Sequence, residues 1–133
     1  MPTLLEIYQA HSSPKSKPVA PGPQAANKYK NRRVVIDGIN FQSTGEGIYY
    51  TELKLLMGCG KIKGFKRQVP FTFIVNGVTI GKYVADFCVL NNDLTIEVVD
   101  HKSKFTADFD LYKLKKKLML ACYGVVIKEV TAK

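Results

Sequence analysis

The sequence predicts an α/β (α+β) domain with the element order α-β-β-β-α-β and a mixed sheet, and three features carry that prediction. Apolar residues recur at helical spacing after Ser43-Thr44-Gly45-Glu46. A β-rich run follows, broken by the turn strings Asn76-Gly77 and Asn91-Asn92-Asp93. A second helical segment then stops at Gly124, just ahead of Val125-Val126-Ile127. With 133 residues, 46% hydrophobic and 23% charged, the chain fits one ordinary domain with a real core.

Taken in order, residues 1–26 read as a flexible Pro-rich tail, because five of the six prolines fall there among Ser, Ala and Lys. Within it, Leu4, Leu5 and Tyr8 make a short amphipathic turn that suits docking on the domain or on a partner protein for residues 1–10. The folded domain spans 27–133. Val34 to Ile36 and Asp37-Gly38 form a leading strand or hairpin. Ser43 and Glu46 have the S-x-x-E form of a capping box, and Ile48, Tyr49, Leu53 and Leu56 continue at helical spacing, which predicts a helix over 45–57 ended by Gly58 and Gly60. Strands are expected over 69–75, 78–90 and 94–102 as an antiparallel meander. Thr106 can cap the second helix, with Asp108 and Asp110 in its first turn and Leu111, Leu114, Leu118 and Ala121 on its apolar face. Val125 to Ile127 read as the last strand.

Register in the hairpin after Leu90 decides which acids meet. A turn centred on Asp93 sets residues summing to 186 opposite each other, so Asp86 lies across from Asp100. Side chains alternate with period two, which places Lys102 with these two and sends Glu97 and His101 to the other face as a solvated pair. Facing carboxylates are unfavourable in a sheet without a compensator, and the one that suits oxygen donors is a hard cation such as Mg²⁺ or Mn²⁺. Aspartate inside Val84-Ala85-Asp86-Phe87-Cys88 also calls for a partner, because buried charge is expensive. Glu46 has two readings that exclude each other at any instant, cap partner of Ser43 or member of the acidic set.

The charge balance points to an anionic partner, with 20 Lys plus Arg against 11 Asp plus Glu giving +9. Three basic groups suit a DNA groove: Lys28, Lys30, Arg32 and Arg33; Lys61, Lys63, Lys66 and Arg67; and Lys113, Lys115, Lys116 and Lys117. Such side chains give affinity for phosphates without base readout. Cys59, Cys88 and Cys122 match no metal-binding spacing and read as reduced, mostly core residues. No apolar run approaches the roughly 18 residues of a membrane span, and no secretory signal opens the chain, so a cytoplasmic protein without a membrane partner is expected.

The spacing D-x13-D-x-K, with a glutamate on an upstream helix, resembles the PD-(D/E)XK nuclease superfamily, whose core has the same element order. From Asn27 to Val130 the chain is similar to small phage-encoded endonucleases of the bacteriophage endonuclease I type, which resolve Holliday junctions. Four strings carry the likeness: Val35-Ile36-Asp37-Gly38-Ile39 leading to Phe41-x-Ser43; Glu46 with Tyr50-x-x-Leu53-Lys54-Leu55-Leu56; Tyr83-x-Ala85-Asp86-Phe87; and Asp100-x-Lys102 followed by Leu114 to Leu118 and Tyr123-Gly124. The resemblance implies a restriction-endonuclease-like fold in which Asp86, Asp100 and Glu46 ligate Mg²⁺, or Mn²⁺ as a substitute, with the His101 backbone carbonyl as a further ligand. It gives Lys102 the attacking water or the charge at the scissile phosphate, and Gln68 a place beside water or phosphate. It also implies a homodimer acting on branched DNA in a phage-infected bacterial cell. Ser103 stands where related proteins have glycine, and Gly45 and Gly47 around Glu46 weaken the first helical turn. Two other readings share the same residues. One is a PD-(D/E)XK nuclease of phage DNA replication, recombination or packaging, and the other a non-catalytic DNA-binding module of the same fold.

Overall fold

The computed structural model describes residues 2–13, 34–102 and 110–131, with backbone only for Lys102 and Thr131. The expected cluster Lys28 to Arg33, the cap Thr106, Asp108 and Ser103 lie outside the described residues. The elements are α1 (Leu4–Ala10), β1 (Val34–Ile36), β2 (Ile39–Phe41), α2 (Thr44–Gly58), β3 (Gly64–Val75), β4 (Val78–Leu90), β5 (Ile96–Lys102), α3 (Asp110–Tyr123) and β6 (Lys128–Thr131). Strands β3-β4-β5-β6 form one sheet, antiparallel except for the parallel β5–β6 pair, and β1–β2 form a separate hairpin. This is the expected α+β fold with a mixed sheet.

Local chemistry accounts for the elements. Ser43 Oγ accepts the Glu46 N–H at 3.2 Å and starts α2. The helix ends in a Schellman pattern, with Gly60 N–H on the Met57 carbonyl and Lys61 N–H on the Leu56 carbonyl. Asn76 and Gly77 take φ of 51° and 78°, the left-handed pair that a two-residue hairpin between β3 and β4 needs. After Leu90 the chain stays in a turn longer than expected. Asp93 Oδ1 accepts the Thr95 N–H at 3.1 Å and Leu94 adopts φ 70°, so β5 starts at Ile96 and not at Leu94.

The sheet is covered on both faces. One core joins Val69, Phe71, Phe73, Tyr83, Ala85, Cys88 and Val98 to Tyr112 and Met119 of α3 and Tyr8 of α1. The other joins Phe87, Val89 and Val99 to Tyr50 and Leu53 of α2 and Phe41 of β2. Both helices turn inward a stripe that overlaps the expected one only in part: Leu53 is buried and Tyr49 and Leu118 pack against the cores as expected. In α2 the buried residues are Gly47, Tyr50 and Leu53 while Ile48 and Leu56 are exposed. In α3 they are Tyr112 and Met119 while Leu111, Leu114 and Ala121 face out. Tyr50 and Tyr112 take buried places because aromatic rings bury much surface against a flat sheet.

Two further differences concern the ends. Val125 and Ile127 are buried in the core but precede the last strand, which begins at Lys128. At the other end, residues 2–13 are no free tail. Thr3 caps α1, Tyr8 enters the core with Leu4 and Ile7 packed against it, and Lys66 Nζ sits 4.5 Å from the Tyr8 ring centroid. The apolar face once available to a partner protein is used on the domain itself. No helix of the described residues is long and apolar enough to cross a membrane.

Candidate active site

The site is organised by a strand inversion. In β3, Val69, Phe71 and Phe73 belong to one core, yet Phe65 packs in the other and Arg67 lies over Phe41 there, although all five are odd-numbered. Strand alternation forbids this unless the strand turns over between them. It does so at Gln68, which takes φ 52° and drops out of the ladder between Arg67↔Phe87 and Val69↔Ala85. The residue opposite, Asp86, is the pivot of β4: Tyr83 and Ala85 face one core, Phe87 and Val89 the other.

Asp86 also marks a fork. The β4–β5 ladder runs from Leu90↔Ile96 to Phe87↔Val99, each pair summing to the expected 186, and ends there. Beyond it β5 goes on with β6 while β4 continues alone with β3. Asp86 and Asp100 face each other at that parting, with their carboxyl groups within hydrogen-bonding reach. Asp86 Oδ2 accepts the His101 N–H at 2.9 Å, and Tyr83 OH donates to Asp100 Oδ2 at 2.8 Å. The His101 amide points to the β4 edge, the edge that its carbonyl shares in an extended strand. Asp100 is 1% exposed.

Burial, the Asp100 carboxyl and the Glu46 charge together push Asp86 up to about 8. Burial and Asp100 push the Tyr83 hydroxyl far up, so it remains a donor. Burial lowers His101, with Asp100 acting against it. Glu46, in the first turn of α2, acts on Asp86 and Arg67 through its charge. Among the described residues no group of three His, Cys, Asp or Glu gathers closely enough to hold a metal ion. The structure thus brings together two of the three expected carboxylates by contact and the third by field. Lys102 keeps the expected place two residues after Asp100, paired with Thr131 in the ladder, and its side chain lies outside the described residues.

Gly47 does not loosen the Glu46 turn. A Cβ there would lie 2.9 Å from Ile36 Cδ1, so its absence lets α2 close on the β1–β2 hairpin. The hairpin is tied to the helix in return, with Tyr50 OH donating to Asp37 Oδ2 at 3.0 Å and Lys54 Nζ bonded to the same oxygen.

Several expected DNA contacts have inward roles. Lys66 Nζ bonds the Tyr8 carbonyl, Arg67 is buried, and Lys116 pairs with Glu129 beside the Tyr112 ring. Lys61, Lys63, Lys113 and Lys117 are exposed, and Gln68 is half-buried. Glu97 is not paired with His101 but lies 3.6 Å from Lys128. Cys88 is buried, its thiol pushed up to about 12 by burial, whereas Cys59 is exposed. What sequence reasoning missed is the burial of Arg67, expected only as one of a basic group that suits a DNA groove. Its flanking Val69-Pro70-Phe71 run was the available sign that a strand enters the core there.

The family described as "Protein of unknown function (DUF1064)" matches residues 26–132. The chain belongs to that family. Its matched span contains β1 to β6, both long helices and every candidate site residue, while α1 precedes it. For this DUF1064 chain no curated protein and no solved structure gives a match.

Proposed function

We propose that this protein is a metal-dependent endodeoxyribonuclease of the PD-(D/E)XK type that hydrolyses phosphodiester bonds in branched DNA, working as a homodimer in the cytoplasm of a phage-infected bacterium. The single observation that supports it best is the Asp86–Asp100 pair at the fork of β4 and β5. Asp86, raised by burial and by the neighbouring Asp100 carboxyl, forms with that acid a donor set that fits a hard divalent cation.

Asp86, Asp100 and the His101 carbonyl would hold Mg²⁺ or Mn²⁺, with Glu46 completing the acidic set from α2. When bound, such an ion supplies Lewis-acid polarisation of a phosphoryl oxygen and a water of lowered pKa. The remaining work falls to the chain. Tyr83 orients the Asp100 carboxylate and the His101 amide fixes Asp86, whose proton a bound cation would displace. Lys102 follows Asp100 by two residues on the same strand and would stabilise charge at the scissile phosphate. Exposed Lys61, Lys63, Lys113 and Lys117, with a net charge of +9, favour an anionic polymer without base readout. The preference for branches and the dimer rest on the resemblance alone.

The test is cleavage of a labelled four-way junction and a matched duplex in Mg²⁺, Mn²⁺ or EDTA by wild type, Asp86→Asn and Asp100→Asn under conditions where all three bind DNA. Metal-dependent cutting of the junction, lost in both variants, is expected. Binding without cutting by wild type in every metal would instead establish a non-catalytic DNA-binding module.

A further inference from the structure

Arg67 is a cation that the fold places deep and holds from several directions. It is 9% exposed, and its guanidinium carbon lies 4.9 Å from the Phe41 ring centroid. Both of its backbone polar groups are held by the N-terminal segment: Ser13 Oγ accepts the Arg67 N–H at 3.0 Å, and His11 Nε2 meets the Arg67 carbonyl at 2.8 Å. Its neighbour Gln68 adopts the left-handed conformation that turns β3 over and delivers Arg67 to the α2 side of the sheet. Yet among the described residues its guanidinium makes no hydrogen bond and no ion pair. Glu46, Tyr50 and Asp86 act on it only through their fields.

A buried cation without a contacting carboxylate is unfavourable unless something else meets its donors. An acidic pair has the complementary difficulty, because it repels the phosphate that it must act on. One cation on the strand next to Asp86 answers both, and a planar guanidinium fits two oxygens of one phosphate where an ammonium meets them as a point charge. We infer that Arg67 is a substrate-binding residue that receives the non-bridging oxygens of a phosphodiester at the Asp86–Asp100 site, held ready by His11, Ser13 and Phe41. The inference rests on the nuclease reading for the identity of the anion. Free phosphate offers the same oxygens, so the experiment separates the two sources.

The first arm uses the full-length wild-type protein, ¹⁵N-labelled, with the Arg67 Nε–Hε resonance assigned by through-bond correlation. It is titrated at constant ionic strength with a thymidine dinucleotide and, separately, with inorganic phosphate. A saturable shift of that resonance with the dinucleotide is expected. A shift with inorganic phosphate alone would replace the diester by free phosphate and overturn the assignment, as would no shift with either. The second arm compares wild type with Arg67→Lys on the four-way junction. A fall in kcat/KM of at least 30-fold with a raised KM is expected, with the Mn²⁺ dissociation constant within twofold. Loss of Mn²⁺ binding in step with activity would overturn the inference by making Arg67 a support for the acids. If wild type cuts no DNA, the nuclease reading fails, while the first arm still decides whether Arg67 binds a phosphate oxyanion.

Discussion

Replacing Asp86 by Asn keeps the shape of the side chain and removes the charge conflict at the fork. In the wild type, burial and then Asp100 raise Asp86 from 3.8 to about 8. An acid with a raised folded-state pKa keeps its proton in the native protein after the unfolded chain has lost it. Stability is therefore fully present below about pH 4 and falls as the pH climbs towards 8. The slope is about 1.4 kcal/mol per pH unit, so the whole span amounts to at most about 5–6 kcal/mol. Because Asp86 is only half-buried and solvent screens it, we take about half of that, ~3 kcal/mol. In EDTA, Asp86→Asn should then be more stable than wild type by ~2–3 kcal/mol at pH 8, nearly equal to it at pH 5, and flatter in between. With Mn²⁺ at about 1,000 times its Kd the order should reverse, since that stabilises wild type by about 4.1 kcal/mol and the variant has no pair to bind the ion. Urea unfolding at pH 5, 6, 7 and 8 reads this out, followed by far-UV circular dichroism and by the fluorescence of the 7 tyrosines in a chain without tryptophan. A variant less stable than wild type at pH 8 in EDTA, or a wild type with no pH slope, would refute the reasoning.

Three further outcomes test the architecture. Tyr8→Ala should cost about 3 kcal/mol in urea unfolding, because a core aromatic at 8% exposure and its stacked Lys66 are lost; an unchanged midpoint would mean that α1 does not dock. Gly47→Leu should cost about 2–3 kcal/mol by forcing α2 off Ile36, Val34 and Phe41, whereas Gly47→Ala, which only displaces the Ile36 methyl and gains helix propensity, should stay within about 1 kcal/mol of wild type. Gln68→Gly should raise stability by roughly 0.5–1 kcal/mol through relief of the positive φ, and a loss of stability would show that the Gln68 side chain has a supporting contact.

The parts legible in the sequence are those with local causes. Ser43 before Glu46, Asn76-Gly77 and Asn91-Asn92-Asp93 act within a few residues, and the register that they set carried Asp86 to Asp100. What the sequence hid depends on contacts distant along the chain. A helical period says that Gly47, Tyr50 and Leu53 share a stripe and that Ile48, Leu55 and Leu56 lie elsewhere, but not which stripe meets the sheet. The docking of α1 is decided by Lys66 and Arg67, more than 50 residues away. Glutamine carries no signature of a left-handed backbone, so the inversion at Gln68 had no local sign, and the burial of Arg67 had only the Val69-Pro70-Phe71 run beside it.

That inversion explains how one sheet serves two cores and a polar centre at once. A regular β4 would set Tyr83, Ala85, Phe87 and Val89 on one face and leave the α2 side without its aromatic anchor. Turning over at Asp86 lets Tyr83 and Ala85 pack under α3 while Phe87 and Val89 pack under α2. The pivot residue belongs fully to neither core, which is why a carboxylate can stand there, and the β4–β5 ladder parts at the same point, which opens the strand edge towards Asp100. The mirror pivot in β3 carries Arg67 to the side where Glu46 and Phe41 lie. One paired irregularity thus sets the two acids and places the guanidinium on the α2 side of the sheet, and its backbone strain of about 1–3 kcal/mol at Gln68 persists because both cores depend on it.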